Sequence, residues 1–248
     1  MKNQAEMRSE LHLMEHEPEE RLMNPAIQAD AYVFDIDGTL LVTRDLVHWN
    51  GLHQAMLEVY GVDTTIEGIP YHGKTDIGIL RAALERCGIT EQAFKAGLPA
   101  ALAIICREVS AHVSEICAGV CAGVPELLSE LRRSGKLLGI ASGNLETVGW
   151  HKVSAANVRE FFSFGSFGDC HEARCEIFDR AKSEAERRLG QGTRLCFVGD
   201  TPEDIRSARK VGAQVIAVAT GTFSYEELTR WGPDVLCHSC RELLGQLR

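Results

Sequence analysis

No run of apolar residues in this 248-residue chain is long enough to cross a bilayer, so a membrane partner is not expected. The N-terminus is rich in Glu and Met and lacks the apolar core of an export signal. Positive charge is in short supply as well. The 26 Lys and Arg stand against 35 Asp and Glu, for a net charge of −9. Phosphate backbones recruit basic surfaces, so nucleic acid is not an expected partner either. A small anionic substrate is still allowed, because a bound metal inverts the field of a single pocket. The nine cysteines sit at irregular spacings and are odd in number. A disulfide-stapled secreted domain would be shorter and would use cysteines in place of a core. Cys106, Cys196 and Cys237 fall instead in apolar runs, as small core residues do. A reducing, cytoplasmic setting is the expectation. No internal repeat is visible.

What remains is ordinary for a globular protein, with 45% hydrophobic and 25% charged residues. The length suits one large domain, or a core with a smaller domain inserted. Residues 1–28 are polar, with Glu15, Glu17, Glu19 and Glu20 clustered, and read as a loosely docked tail. Tyr32 to Phe34 reads as a buried strand. The pattern then turns helical. Leu52, Met56 and Val59 recur before Gly61, and Ile77, Leu80, Leu84 and Cys87 before Gly88. Leu102, Ile105, Val109, Val113 and Ile116 form a third stripe. After Gly123, strands and helices alternate. Strands are expected at Leu137–Ala141, Leu195–Val198, Val215–Ala219 and Val235–Cys237, with a helix from Pro202 to Val211 closed by Gly212. Such alternation predicts an α/β fold: a Rossmann-like, doubly wound parallel sheet with helices on both faces. The sheet domain would comprise residues 29–43 and 119–248, and a helical domain residues 44–118.

In open parallel sheets, ligands bind beyond the carboxyl ends of the strands. The first strand ends in Asp35-Ile36-Asp37-Gly38-Thr39-Leu40. Two acids two residues apart point the same way along the pleat. Fold stability needs neither of them, since like charges repel unless a cation or proton separates them. Gly38 permits close backbone approach to a ligand. The set suits an attacking carboxylate, a second carboxylate that handles a proton, and a divalent metal. The second strand ends in Ser142-Gly143-Asn144, and the third in Gly199-Asp200 with Asp204 four residues on. Taken singly, each group has a plainer reading as a turn or a helix cap. Three in register at strand ends favour a site.

These motifs resemble those of the haloacid dehalogenase-like hydrolase superfamily, in its phosphatase branch, and are most similar to phosphoglycolate phosphatase-like proteins. The resemblance spans roughly residues 30–240, and the helices at 44–118 stand where that family carries its α-helical cap. It implies a hydrolase of phosphoric monoesters acting on a small phosphorylated metabolite, with 2-phosphoglycolate one candidate. By the same resemblance Asp35 is the nucleophile that forms an aspartyl-phosphate, and Asp37 protonates the leaving oxygen and then activates water. Mg2+ is the implied cofactor, with Asp35, Asp37 (through its backbone carbonyl), Asp200 and Asp204 as the metal-site residues. Thr39, Ser142, Gly143 and Asn144 are implied on the phosphate. The chain departs from the family where a lysine is expected, since the stretch before the last motif reads Gly168-Asp169-Cys170-His171-Glu172-Ala173-Arg174. Arg174 is the positional candidate, because a guanidinium keeps the charge and grips oxygens by two donors. Lys182 is the weaker choice, since Glu176 to Leu189 reads as a helix and would place it a turn too far along.

Lys74, in Tyr71-His72-Gly73-Lys74-Thr75-Asp76, is expected above the substrate, where it would neutralise a distal anionic group. Capping of a helix by Thr75 or Asp76 is an equal alternative. Trp49 and Met56 are expected to pack within the cap. Cys237 and Cys240 lack the second ligand pair that zinc requires, so Cys237 reads as a structural thiol. Cys170, His171 and Cys175 also cluster, with metal binding a remote reading. Two competing functions remain open. One is a phosphosugar mutase, in which a cap histidine follows the nucleophile at an interval that His48 misses by one. The other is a non-catalytic relative that binds a phosphorylated ligand, for which only the arginine substitution argues. The chain would be a monomer or a homodimer.

Overall fold

The computed structural model describes residues 28–247, so the tail read at 1–28 lies almost wholly outside it. Eight strands are described: β1 Ala31–Phe34, β2 Leu41–Thr43, β3 Ala118–Val120, β4 Leu137–Ala141, β5 Phe164–Ser166, β6 Leu195–Gly199, β7 Gln214–Val218 and β8 Val235–Cys237. The helices are α1 Val47–Tyr60, α2 Asp76–Arg86, α3 Glu91–Ala111, α4 Val124–Arg133, α5 Glu146–Ala155, α6 Arg174–Leu189, α7 Pro202–Lys210, α8 Tyr225–Thr229 and α9 Cys240–Gln246.

Six strands form one sheet in the order β5-β4-β1-β6-β7-β8, and every pairing is parallel. The doubly wound reading therefore holds. Alternation along β1 splits the core in two, as the pleat requires. Tyr32 and Phe34 pack on one face with Leu127, Leu128 and Leu131 of α4 and Leu243 of α9. Ala31 and Val33 pack on the other with Ile177 and Phe178 of α6 and Ile205 of α7. A third cluster belongs to α1–α3: Leu52, Met56, Leu80, Leu84, Ile105 and Val109 meet there, joined by Leu145 and Val148 at the start of α5.

The strands β2 and β3, three residues each, pair antiparallel on either side of the segment that carries α1–α3. Hydrogen bonds from Arg44 N to Cys117 O (3.0 Å) and Cys121 N to Leu40 O (2.9 Å) extend that zip. Two expectations need correction here. The third helical stripe stops at Ala111, and Val113 lies in a 3-10 turn with a 40% exposed side chain, so Val113 and Ile116 do not continue the helix. Helix α6 starts at Arg174, two residues earlier than its apolar spacing suggests.

Candidate active site

β4, β1 and β6 are neighbours, and Phe34 stands level with Ile140 on one side and Val198 on the other. The residues just past these strands therefore converge. Asp35, Ser142 and Asp200 are all buried, and Asp35 N still donates to Val198 O at 2.9 Å. Oxygens of Asp35, Asp200 and Asp204 lie within 4.8 Å of one another. Thr39 Oγ1 donates to Asp200 Oδ1 at 2.9 Å. Gly38, at φ +86°, and Gly221 flank the same carboxylate, and a Cβ at either would land on it. Only glycine lets the backbone approach Asp200 so closely.

Arg174, the first residue of α6, enters this cluster. Its Nε donates to Asp204 Oδ1 at 2.8 Å. Its Nη2 stands 2.8 Å from Asp35 Oδ1 and 2.6 Å from Asp204 Oδ1, as ion-pair contacts at angles too oblique for directed hydrogen bonds. Burial would lower the Arg174 pKa, but the charges of Asp204 and Asp35 outweigh it and hold the guanidinium firmly protonated. Lys182 points elsewhere and donates to Val211 O at 2.8 Å.

Burial pushes the Asp35 carboxyl up to about 6 against the pull of Arg174. Asp200 is held well above the usual carboxylate range by burial first, then by the charges of Asp204 and Asp35. Three buried carboxylates facing one guanidinium carry excess negative charge, which a divalent cation would neutralise. The donors are all oxygen, as Mg2+ prefers. Asp204 is the least available of the three. It closes a capping box at the start of α7, its Oδ2 accepts Thr201 N (3.0 Å) and Thr201 Oγ1 (2.7 Å), and its Oδ1 faces Arg174. Asp35 and Asp200 are the side chains best placed to hold a metal.

Asp37 behaves differently. Its side chain is 41% exposed toward the cavity, and its carboxylate receives Lys152 Nζ on both oxygens, at 3.0 and 2.8 Å. Thr43 Oγ1 (3.2 Å) and Asn144 Nδ2 (2.8 Å) add two more donors. Enclosure alone would raise the Asp37 pKa, and the Lys152 charge and these bonds reverse that, holding it below the ordinary range. Asn144 Nδ2 also reaches Ser142 Oγ at 2.9 Å. The sequence reading overlooked Lys152. A signal was present, since Lys152 falls on the stripe Val148, Gly149, Lys152, Val153 that α5 buries.

A cavity of about 480 Å3 opens above these groups. Asp35, Asp37, Ser142, Gly143, Asn144, Lys152, Arg174 and Asp200 line its floor, and Trp49, Leu52, Tyr71, His72 and Lys74 line its upper wall. Trp49 packs against the helical cluster and also faces the cavity, in edge contact with Tyr71 (6.1 Å), while Met56 is fully buried in that cluster. Thr75 caps α2, its hydroxyl accepting Gly78 N at 3.1 Å. Asp76 ties the start of α2 to the turn after β4: its Oδ2 accepts Leu145 N at 2.9 Å, its own N donates to Gly143 O at 2.9 Å, and His48 Nε2 is 3.2 Å away. Cys237 and Cys240 are buried free thiols, and Cys175 Sγ meets Lys210 Nζ at 3.3 Å on the surface. Among the described residues the acidic triad is the one group arranged to hold a metal. None of their helices is long and apolar enough to cross a membrane.

Residues 29–212 match the sequence pattern of a hydrolase family described as haloacid dehalogenase-like hydrolase. A phosphoglycolate phosphatase of Caulobacter vibrioides is 24% identical over 214 residues, which cover 83% of this chain and 85% of that protein. A phosphoglycolate phosphatase of Synechococcus elongatus is 31% identical over 123 residues, or 49% of this chain and 56% of its own length. Among solved structures, CbbY from Rhodobacter sphaeroides in complex with phosphate superposes with a TM-score of 0.65 at 21% identity, covering 88% of this chain and 99% of that one. At that identity the likeness speaks for the fold.

Proposed function

The chain belongs to the haloacid dehalogenase-like hydrolases and is a phosphatase, and from that premise we propose that it hydrolyses a small phosphate monoester, of the phosphoglycolate class, through a phosphorylated Asp35. One observation carries the reading: Asp35, Asp200 and Asp204 converge from distant parts of the chain, buried, with Arg174 as their single guanidinium. An attacking carboxylate and a phosphate dianion repel each other. A divalent cation such as Mg2+, held by Asp35 and Asp200 with the Asp37 backbone carbonyl, would offset that repulsion. Arg174 aims Asp35 and supplies a fixed positive charge beside the transferring group. Asp204 holds Arg174 in place.

Asp37 opens to the cavity and is the acid that faces a leaving oxygen. Because Lys152 keeps the free carboxylate ionised, the proton it relays to the leaving oxygen comes from a bound monoester in its monoanionic form, and Asp37 then takes one from the water that releases phosphate from Asp35. Ser142 and the amides at Gly143 and Asn144 are the donors for phosphate oxygens, while the hydroxyl of the fully buried Thr39 is given to Asp200. Lys74 also lines the cavity, and its ammonium would meet a carboxylate or second anionic group on the substrate. Two assays test the proposal together. Asp35→Asn should fold and lose hydrolysis of p-nitrophenyl phosphate, and chelation of divalent metal should stop the wild-type enzyme. Wild-type turnover in Asp35→Asn would refute it.

A further inference from the structure

Lys152 is a buried cation that neither the metal site nor the Arg174 cluster accounts for. It lies on the buried face of α5, with its ammonium under the cavity floor. An ammonium has three donors. Here Asp37 Oδ1 (3.0 Å), Asp37 Oδ2 (2.8 Å) and Asn144 Oδ1 (2.9 Å) take all three. Asn144 completes the ring by donating from Nδ2 to Asp37 Oδ2 at 2.8 Å. Stability gives little reason for this arrangement. Taking the Lys152 ammonium out of water costs about as much as its pairing returns, so an apolar side chain of the same volume would serve the fold as well.

We propose that Lys152 is a positioning residue: with Asn144 it clamps the Asp37 carboxylate in one orientation over the reacting atoms, without gripping the substrate's phosphate itself. The inference rests on the reading of Asp37 as the proton-transferring group. Unclamped, a side chain that opens 41% to the cavity would sample several rotamers. Misplacement of a catalytic group by about 1 Å can cost on the order of 100-fold in rate. The two buried cations therefore divide the work. Arg174 serves Asp35, and Lys152 serves Asp37. To bind phosphate directly, Lys152 would have to surrender a bond to Asp37 or to Asn144.

A double-mutant cycle on the full chain with Mg2+ tests this, using p-nitrophenyl phosphate as substrate and inorganic phosphate as competing inhibitor. Lys152→Met should lower kcat by roughly 30- to 100-fold. KM and the phosphate inhibition constant should stay within about twofold, because the residue does not hold phosphate. In an Asp37→Asn background the same substitution should cost almost nothing more, because the group it positions has gone. An equal loss in both backgrounds overturns the inference. So does a large rise in the phosphate constant with kcat unchanged, which would make Lys152 a phosphate ligand. Lys152→Gln carries the same cycle if the Met variant does not fold. Failure of the underlying reading shows separately, as wild-type rates in Asp37→Asn alone.

Discussion

The Nη2 of Arg174 lies 2.8 Å from Oδ1 of Asp35, and the same nitrogen is 2.6 Å from Asp204. The arginine thus stands between an acid that is to react and an acid that anchors a helix. Removing it leaves two buried carboxylates without their cation. Arg174→Ala should destabilise the fold by about 3–5 kcal/mol, as breaking a buried pair does. Arg174→Lys should fold better but lose at least about tenfold in kcat/KM, since a shorter ammonium lacks the separate Nε donor by which Asp204 fixes the planar fork beside Asp35. Denaturant titration and steady-state kinetics on an aryl phosphate check both outcomes.

Mg2+ should raise the melting temperature of wild-type protein. A ligand that binds only the folded state at 100 times its Kd adds about 2.7 kcal/mol. Asp200→Asn should abolish that response while making the metal-free protein more stable, because one buried negative charge is gone from a repulsive set. Thermal scans with and without Mg2+ or chelator separate the two effects. An undiminished Mg2+ shift in the variant would count against Asp200 as a ligand.

Gly221→Ala should cost more than a glycine-to-alanine change in a loop normally does. The added methyl would land on the Asp200 carboxylate, which Gly38 crowds from another side. Activity should fall by on the order of 100-fold through displacement of a catalytic group. The Mg2+ concentration needed for half-maximal rate should rise in parallel. Kinetics as a function of Mg2+ measure both.

How legible all this was depended on how each group is placed along the chain. The acids at Asp35, Asp37, Asp200 and Asp204 stand directly at strand ends, where apolar runs announce the strand and the next residues must face the ligand. Arg174 was legible only by position, because nothing local distinguishes it from a surface arginine at a helix start. Lys152 was missed because its partners lie eight and 115 residues away. Side chains on a helix lean toward its N-terminus, so a long lysine two turns along α5 reaches back to the strand end where Asn144 sits. The strands β2, β3 and β5 have three residues each and include Thr43, Gly119, Gly165 or Ser166, so they lack the apolar run that marks the equally short β8. Their stability comes from pairing.

Far from the site, Asp30 pairs with Arg194 at 2.8 Å, and hydrogen bonds from Arg194 lower its carboxyl from 3.8 to about 2. A depressed carboxylate contributes stability that is complete above its unfolded value and disappears as pH falls through its folded value. The pair is substantially exposed, so its worth is at most about 1 kcal/mol. Asp30→Asn should therefore be slightly less stable than wild type near neutrality. The gap should close between about pH 4 and pH 2, and urea titrations across that window check the sign.

The central claim is that phosphorus is transferred to the Asp35 side chain. Mixing enzyme with excess aryl phosphate, quenching in acid within the first turnovers and mapping phosphorylated peptides by mass spectrometry tests it directly. A phosphoryl group on the peptide bearing Asp35, absent from Asp35→Asn, is the predicted result. Phosphate released at the wild-type rate by Asp35→Asn, or a phosphoryl group trapped on another residue, would contradict it.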